Sequence, residues 1–189
     1  MTSKNSFWAS SKENHKRRIW VWVVAIITQL MMYVGVVTVY LSRIRAWNAE
    51  GVYKTAKEDQ EALYQATRDA LAFQDNLMIP LIILAAIIGI QGFSYLYDRR
   101  KVDLYHSVPV DKNWRFVVVY VNGIIIYLVS TLVSLLIGVI TAAIQHAVNG
   151  EVMAAVGLGF LWNLLFFMAI YHTAILAVML TGNRFVTLC

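Results

Sequence analysis

Side chains that could do chemistry are sparse in the long apolar runs of this 189-residue chain. Apart from some hydroxyls, the polar residues in those runs are Gln29, Gln91, Asn122, Gln145, His146, Asn163 and His172. No Asp, Glu, Lys or Arg lies within the runs. Ionisable groups at membrane depth usually mark proton relays and ion pathways. If these runs cross a membrane, their composition counts against a proton-coupled transporter or a charged-substrate channel formed by them alone.

The sequence gives little support for a metal-binding site or a nucleotide-binding site. His146 and His172 are neither three nor four residues apart and have no accompanying carboxylate, so we expect each to hydrogen-bond to a neighbouring helix. The single cysteine, Cys189, is the last residue. The sequence contains no G-x-x-x-x-G-K-[ST] and no G-x-G-x-x-G motif. We therefore expect no catalytic, metal-binding or cofactor-binding residues, and no enzymatic activity of the chain itself.

One dense polar stretch, YLYDRRKVDLYHSVPVDKNWRF at residues 95–116, separates two apolar runs. Its first charges are typical of a stop signal that anchors a helix at the membrane interface. The apolar Val102, Leu104, Tyr105 and Val108 need a different explanation, and residues 102–106 could form a short amphipathic helix that ends before Pro109. Such a helix either lies on lipid or docks into a groove of a soluble partner. Composition favours neither role.

Composition decides the class of protein. Hydrophobic residues make up 59% of the chain and charged residues only 14%, whereas roughly a quarter of the residues of a soluble domain are charged. A helix needs about 20 apolar residues to cross a bilayer, and four runs are long enough. The sequence predicts an all-α membrane protein forming a single transmembrane domain over residues 1–189, with transmembrane helices at 19–41, 77–97, 116–144 and 153–180.

Charge sets the predicted orientation, because Lys and Arg near membrane spans are retained on the cytoplasmic side. Segment 1–18 has five basic residues and one acid, and the 98–115 loop has five basic residues, whereas segment 42–76 balances five basic residues with six acids. We expect a cytoplasmic or interfacial segment at 1–18, a cytoplasmic loop at 98–115 and an extracellular helical loop at 43–76. The extracellular helix would be a solvated cap that lengthens the second span, or a ligand-operated gate.

The polar stretch also resembles a known family. Residues 93–97, FSYLY, followed by residues 99–110, RRKVDLYHSVPV, are similar to the signature of ABC-2 type transporter permease subunits of Gram-positive bacteria. Leu104 stands where Phe is frequent, and Val108 where Leu is frequent. The N-terminal Asn14-x-Lys16-Arg17-Arg18 before the first span is also similar to the start of these proteins, with lower specificity.

The resemblance implies a subunit of an ATP-driven exporter in the bacterial cell membrane. It implies that the 98–115 loop contains a coupling helix that contacts a separate ABC ATPase subunit, which would hold ATP and Mg²⁺, and that two permease units, identical or different, form the path. The coupling residues would be Lys101, Val102, Asp103, Leu104, Tyr105, His106, Ser107, Val108, Pro109 and Val110. Such permeases usually have six or more spans, so four would make this an N-terminal portion or a truncated relative. The alternative is a four-helix membrane scaffold or sensor with a lipid-binding inner loop.

Overall fold

The computed structural model describes residues 11–12, 15–16, 18–53, 55–72, 75–94 and 112–181. Within these ranges the chain forms helices joined by short turns, without β-strands. The predicted all-α class is therefore confirmed for the described residues. The elements are α1 (Ile19–Leu30), a π-helical turn (Met31–Gly35), α2 (Val36–Ala49), α3 (Ala56–Leu71), α4 (Asp75–Gly92), α5 (Lys112–Ile144) and α6 (Gly150–Thr181).

Three helices are long and apolar enough to cross a membrane among the described residues: Ile19–Ala49, Asn113–Ile144 and Gly150–Leu180. They correspond to the first, third and fourth predicted spans, and the first one continues beyond the predicted end at residue 41. The protein is therefore membrane-embedded. The predicted second span at 77–97 is represented by a shorter apolar helix, Met78–Gly92, and residues 95–97 lie outside the described residues. Three helices of the described residues thus have the length and composition of a span, and the count of four is not confirmed.

Local capping explains where α3 and α6 begin. The Thr55 hydroxyl accepts a hydrogen bond from the Glu58 amide at 3.2 Å, and acids in the first turn of α3 complement the helix dipole. Asn149 caps α6 in the same way, since its Oδ1 accepts from the Val152 amide at 2.8 Å. At the end of α3, Ala72 is extended, with φ −72° and ψ 165°. Helix α3 therefore ends at Leu71, and α4 begins as a separate helix at Asp75.

The chain divides into two compact units. The first comprises residues 1–25, 82–129 and 167–189, and the second comprises residues 26–81 and 130–166. Buried apolar residues of the first unit include Val21, Ala25, Leu84, Ile88, Phe93, Val119, Tyr127, Phe167, Tyr171 and Val178. Those of the second include Tyr33, Val37, Leu41, Leu63, Ala70, Leu71, Leu81, Ala142, Val152 and Val156. Each unit therefore has its own core.

Candidate functional site

The structure describes both flanks of the predicted coupling residues, whereas Lys101 to Val110 lie outside the described residues. Helix α4 ends at Gly92 and α5 begins at Lys112. The rings of Phe93 and Phe116 pack with centroids 5.1 Å apart, and Phe93 is fully buried. The two flanks of this stretch are therefore fixed against each other within the first unit.

A buried cation lies beside the first of these flanks. Arg18 is only 3% exposed, although it immediately precedes the first span. Its Nε donates a hydrogen bond to Gln91 Oε1, and its Nη2 donates to the backbone carbonyl of Ile88 at 2.7 Å. A cation at this place also complements the negative C-terminal end of the α4 dipole. Arg18 thus joins the start of α1 to the last turn of α4.

Gly92 makes room for the guanidinium. A Cβ at this position would lie 3.3 Å from both Nη1 and Nη2 of Arg18 and 3.2 Å from Val119 Cγ1 of α5. Burial lowers the pKa of Arg18 to about 10, so the side chain stays charged at neutral pH. The buried Nη1 has no hydrogen-bond partner within the described part of the chain. Three helices, α1, α4 and α5, therefore converge on one charged group.

The N-terminal segment makes two further contacts in the first unit. Ser11 Oγ donates to Asn122 Oδ1 at 2.7 Å, and both residues are buried. Trp22 Nε1 donates to His15 Nδ1 at 3.1 Å, with ring centroids 5.5 Å apart. Burial and, to a smaller extent, the nearby positive charge of Arg18 lower the pKa of His15. Residues expected at the membrane surface are thus partly packed against helices.

Helices α5 and α6 are joined by a hydrogen-bonded aromatic group in the first unit. Tyr171 Oη donates to the Tyr120 carbonyl at 3.1 Å. His172 Nδ1 lies 2.6 Å from the Met168 carbonyl, so this nitrogen carries the proton and Nε2 accepts from Tyr120 Oη at 2.7 Å. The histidine therefore joins α6 to α5 by a hydrogen bond, in agreement with the role expected from the sequence.

The other histidine, His146, makes a local structural contact. His146 lies in the turn after α5 with φ 57°, and its carbonyl accepts from Gln60 Nε2 at 2.6 Å. Among the described residues no group of three potential metal ligands occurs. The two histidines therefore act in separate local contacts.

A second polar group lies in the second unit and contains no charge. Gln29 Nε2 donates to Thr131 Oγ1 at 2.9 Å, and Asn163 Nδ2 donates to Tyr33 Oη at 2.6 Å. All four residues are at most 1% exposed. They come from α1 and its π-helical turn, from α5 and from α6, so that all three long apolar helices contribute.

No protein-family profile, no curated protein and no solved structure matches this chain.

The sequence did not predict the role of Arg18. A basic segment before the first span is typical of a surface anchor, and residue type alone does not set Arg18 apart from Lys12, Lys16 and Arg17. The available signal was its place as the last charge before a span, together with Gln91 near the end of another apolar run, because a buried charge at a helix end needs a polar partner. The pairing itself depends on the packing of α1 against α4.

Proposed function

We propose that this chain is a membrane permease subunit of an ATP-driven exporter, and that a separate ATPase subunit docks on the 98–115 loop. The observation that carries the proposal is the similarity of residues 93–97 and 99–110 to the signature of ABC-2 type permeases. Apolar residues in that loop, among them Leu104 and Tyr105, suit a docking surface for a soluble partner.

The contacts around the loop support a mechanical role. A force on the loop would act on Phe93 and Phe116, whose rings are in contact, and through α4 on the hydrogen bonds to Arg18. Helices α1, α4 and α5 would then move as a group. Nucleotide-driven motion of the partner shifts the membrane helices only if the partner binds one of their arrangements more tightly. Rigid contacts at the base of the loop would favour such coupling.

The chain itself would hydrolyse no nucleotide, and ATP and Mg²⁺ would bind to the partner. A second permease unit, identical or different, would complete the path. The protein would lie in a bacterial cell membrane with its N-terminus in the cytoplasm. This orientation is supported by the basic residues of segment 1–18 and of the 98–115 loop.

The test is co-purification from the native host in mild detergent, followed by measurement of ATP hydrolysis in the eluate. The wild-type chain should retain an ATPase, and Leu104→Ala combined with Tyr105→Ala should lose most of it while still inserting. The matched control is Val52→Ala combined with Tyr53→Ala, another adjacent aliphatic and tyrosine pair, on the connection between α2 and α3. Equal ATPase recovery from both double variants would refute the docking role.

The second candidate is a membrane scaffold or sensor whose inner loop binds lipid. It draws support from exposed Lys12, Lys16 and Trp20 next to the first span, a combination suited to anionic headgroups and the membrane interface. Absence of ATPase from the wild-type eluate, with binding of the isolated 98–115 peptide to anionic vesicles, would favour this candidate.

A further inference from the structure

The neutral polar group of the second unit contains two buried atoms whose hydrogen-bonding capacity is unused. Gln29 Oε1 and Ser134 Oγ each have no partner within the described part of the chain, and both residues are fully buried. Reversing the side-chain amide of Gln29 would bring Oε1 to Thr131 and leave Nε2 without a partner. One polar atom of Gln29 is therefore unpartnered in either orientation.

Helix geometry places Gln29 and Ser134 on the surfaces of α1 and α5 that face each other. Gln29 contacts Thr131 through its amide, and one turn later Tyr33 Cβ lies 3.6 Å from the position of a Cβ on Gly138. Residues 131, 134 and 138 share one face of α5, because positions three, four and seven apart in a helix lie above one another. Ser134 thus lies between two points at which this face of α5 contacts the first span.

The location makes unpaired atoms costly. Thr131 and Asn163 lie near the middle of the spans Asn113–Ile144 and Gly150–Leu180. In the hydrocarbon region no bulk water can satisfy a polar group, so an unsatisfied group there destabilises the fold. Such a site is stable when a small polar group occupies it.

The surrounding residues restrict the chemistry of that occupant. The buried polar residues described in the second unit are Gln29, Thr67, Ser130, Thr131, Ser134 and Asn163, and none is charged. A charged ligand would remain uncompensated there. A carboxamide oxygen needs a donor, and a serine hydroxyl can supply a proton to an acceptor. One hydroxyl group satisfies both, since it donates to Gln29 and accepts from Ser134.

The backbone of the first span is irregular at this depth. The π-helical turn Met31–Gly35 begins two residues after Gln29 and contains Tyr33. Single π-helical turns inside α-helices frequently lie at functional sites. The turn contains Tyr33, whose hydroxyl accepts a hydrogen bond from Asn163 Nδ2 of α6 at 2.6 Å.

We propose that Gln29, Thr131 and Ser134 form a binding site for a hydroxyl group inside the membrane, occupied by water or by the hydroxyl of an amphiphile. The site does not depend on the proposed ATPase partner. Water and an alcohol present the same chemistry to the two unpaired atoms, and they differ in whether an alkyl chain follows the hydroxyl along the neighbouring helices.

Water is tested by water-edited solid-state NMR on the ¹³C,¹⁵N-labelled protein in phospholipid bilayers. The side-chain amide of Gln29, assigned by its loss in Gln29→Leu, should receive magnetisation from water as the exposed Gln65 amide does. The buried methyl groups of Val37 and Leu41 provide the dry reference.

The alcohol is tested by thermal unfolding in detergent with 1-decanol against decyl methyl ether, which cannot donate a hydrogen bond. At tenfold excess over its dissociation constant, 1-decanol should raise the unfolding midpoint by about 2–5 °C. The ether should not, and Gln29→Leu, which removes the acceptor for the alcohol proton, should abolish the difference. The control Thr141→Val, whose wild-type hydroxyl already donates to the Ile137 carbonyl at 2.8 Å, should retain it.

Water contact at Gln29 alone supports the site with solvent as its occupant. A shift specific to 1-decanol supports it with an amphiphile as its occupant. A dry Gln29 amide together with equal responses to the alcohol and the ether would overturn the proposal.

Discussion

At the scale of single residues, Arg18 joins the start of α1 to the last turn of α4. Its two hydrogen bonds fix the last turn of α4, the helix that leads into the predicted coupling loop. Lysine would keep the charge but has no planar fork of donors, so it cannot reproduce both bonds in the same geometry. Arg18 is therefore a positioning residue whose function depends on shape as well as charge.

We expect Arg18→Lys to lower the free energy of unfolding by about 1–3 kcal/mol, because one buried hydrogen bond to a charged group is lost. For a chain of this length that is about 2–12 °C in the unfolding midpoint in detergent. Lys16→Ala, at an exposed position, should change the midpoint little. Equal midpoints for wild type and Arg18→Lys would show that the fork is not needed.

The lowered pKa of His15 predicts that the stability of the protein depends on pH. Its pKa in the folded protein lies below the ordinary value of 6.5, so around that pH the unfolded chain binds more protons than the folded chain. The free energy of unfolding should therefore fall as pH drops through about 6.5, and protonated Nδ1 can no longer accept from Trp22. His15→Phe keeps a ring beside Trp22 and should reduce this slope. An unchanged slope in thermal unfolding from about pH 7.5 to 5.5 would exclude His15 as its source.

At the scale of elements, the glycines of α5 and α6 lie in two different environments, namely close helix contacts and open surface. The sequence pattern predicts close helix contacts at Asn122-Gly123 and at Gly157-x-Gly159, since small residues let helices approach in lipid. Gly123 meets that expectation, since a Cβ there would overlap the Tyr171 hydroxyl. In the second pattern Gly159 is buried. Gly157 does not meet the expectation, because it is exposed with nothing within 4 Å of a Cβ in the described structure. The pattern of small residues alone could not distinguish the two, since lipid and helix both accept an apolar face.

Alanine at the two positions should therefore act in opposite ways. Gly123→Ala should cost about 1–3 kcal/mol, since α5 and α6 must separate or Tyr171 must leave its place. Gly157→Ala should be neutral or stabilising by up to about 1 kcal/mol, from helix propensity. The measurement is the unfolding midpoint of both variants in one detergent. A loss of stability in Gly157→Ala as large as that in Gly123→Ala would contradict this packing.

The sequence predicted the long helices well because uninterrupted apolar runs of over 20 residues have few alternatives in a membrane protein. The second span, at 77–97, could not be predicted from the sequence equally well. The described helix ends at Gly92, where Arg18 contacts the last turn, and no local signal announces that contact. The hydrogen bonds of Gln29, Tyr33 and Asn163 could not be predicted either. Each residue is isolated in the sequence, and its partner is apparent only once the three helices pack together.

At the scale of the whole molecule, the proposed function places an ATPase partner on the 98–115 loop. The helices on either side of this loop, α4 and α5, are held together by the contact between the rings of Phe93 and Phe116. The loop also contains the residues that resemble an ABC-2 coupling segment. The charge distribution predicts that this loop and the N-terminus share the cytoplasmic side. A soluble ATPase could then reach Tyr105 but not Tyr53.

The most direct test is photo-crosslinking in living cells of the native host. p-Benzoylphenylalanine is placed at Tyr105 or at Tyr53, the adducts are isolated, and their peptides are identified by mass spectrometry. We predict that the Tyr105 adduct contains a protein with a G-x-x-x-x-G-K-[ST] phosphate-binding loop and that the Tyr53 adduct does not. Adducts at Tyr105 that lack any nucleotide-binding protein, or the same protein crosslinked equally from Tyr53, would contradict the proposed function.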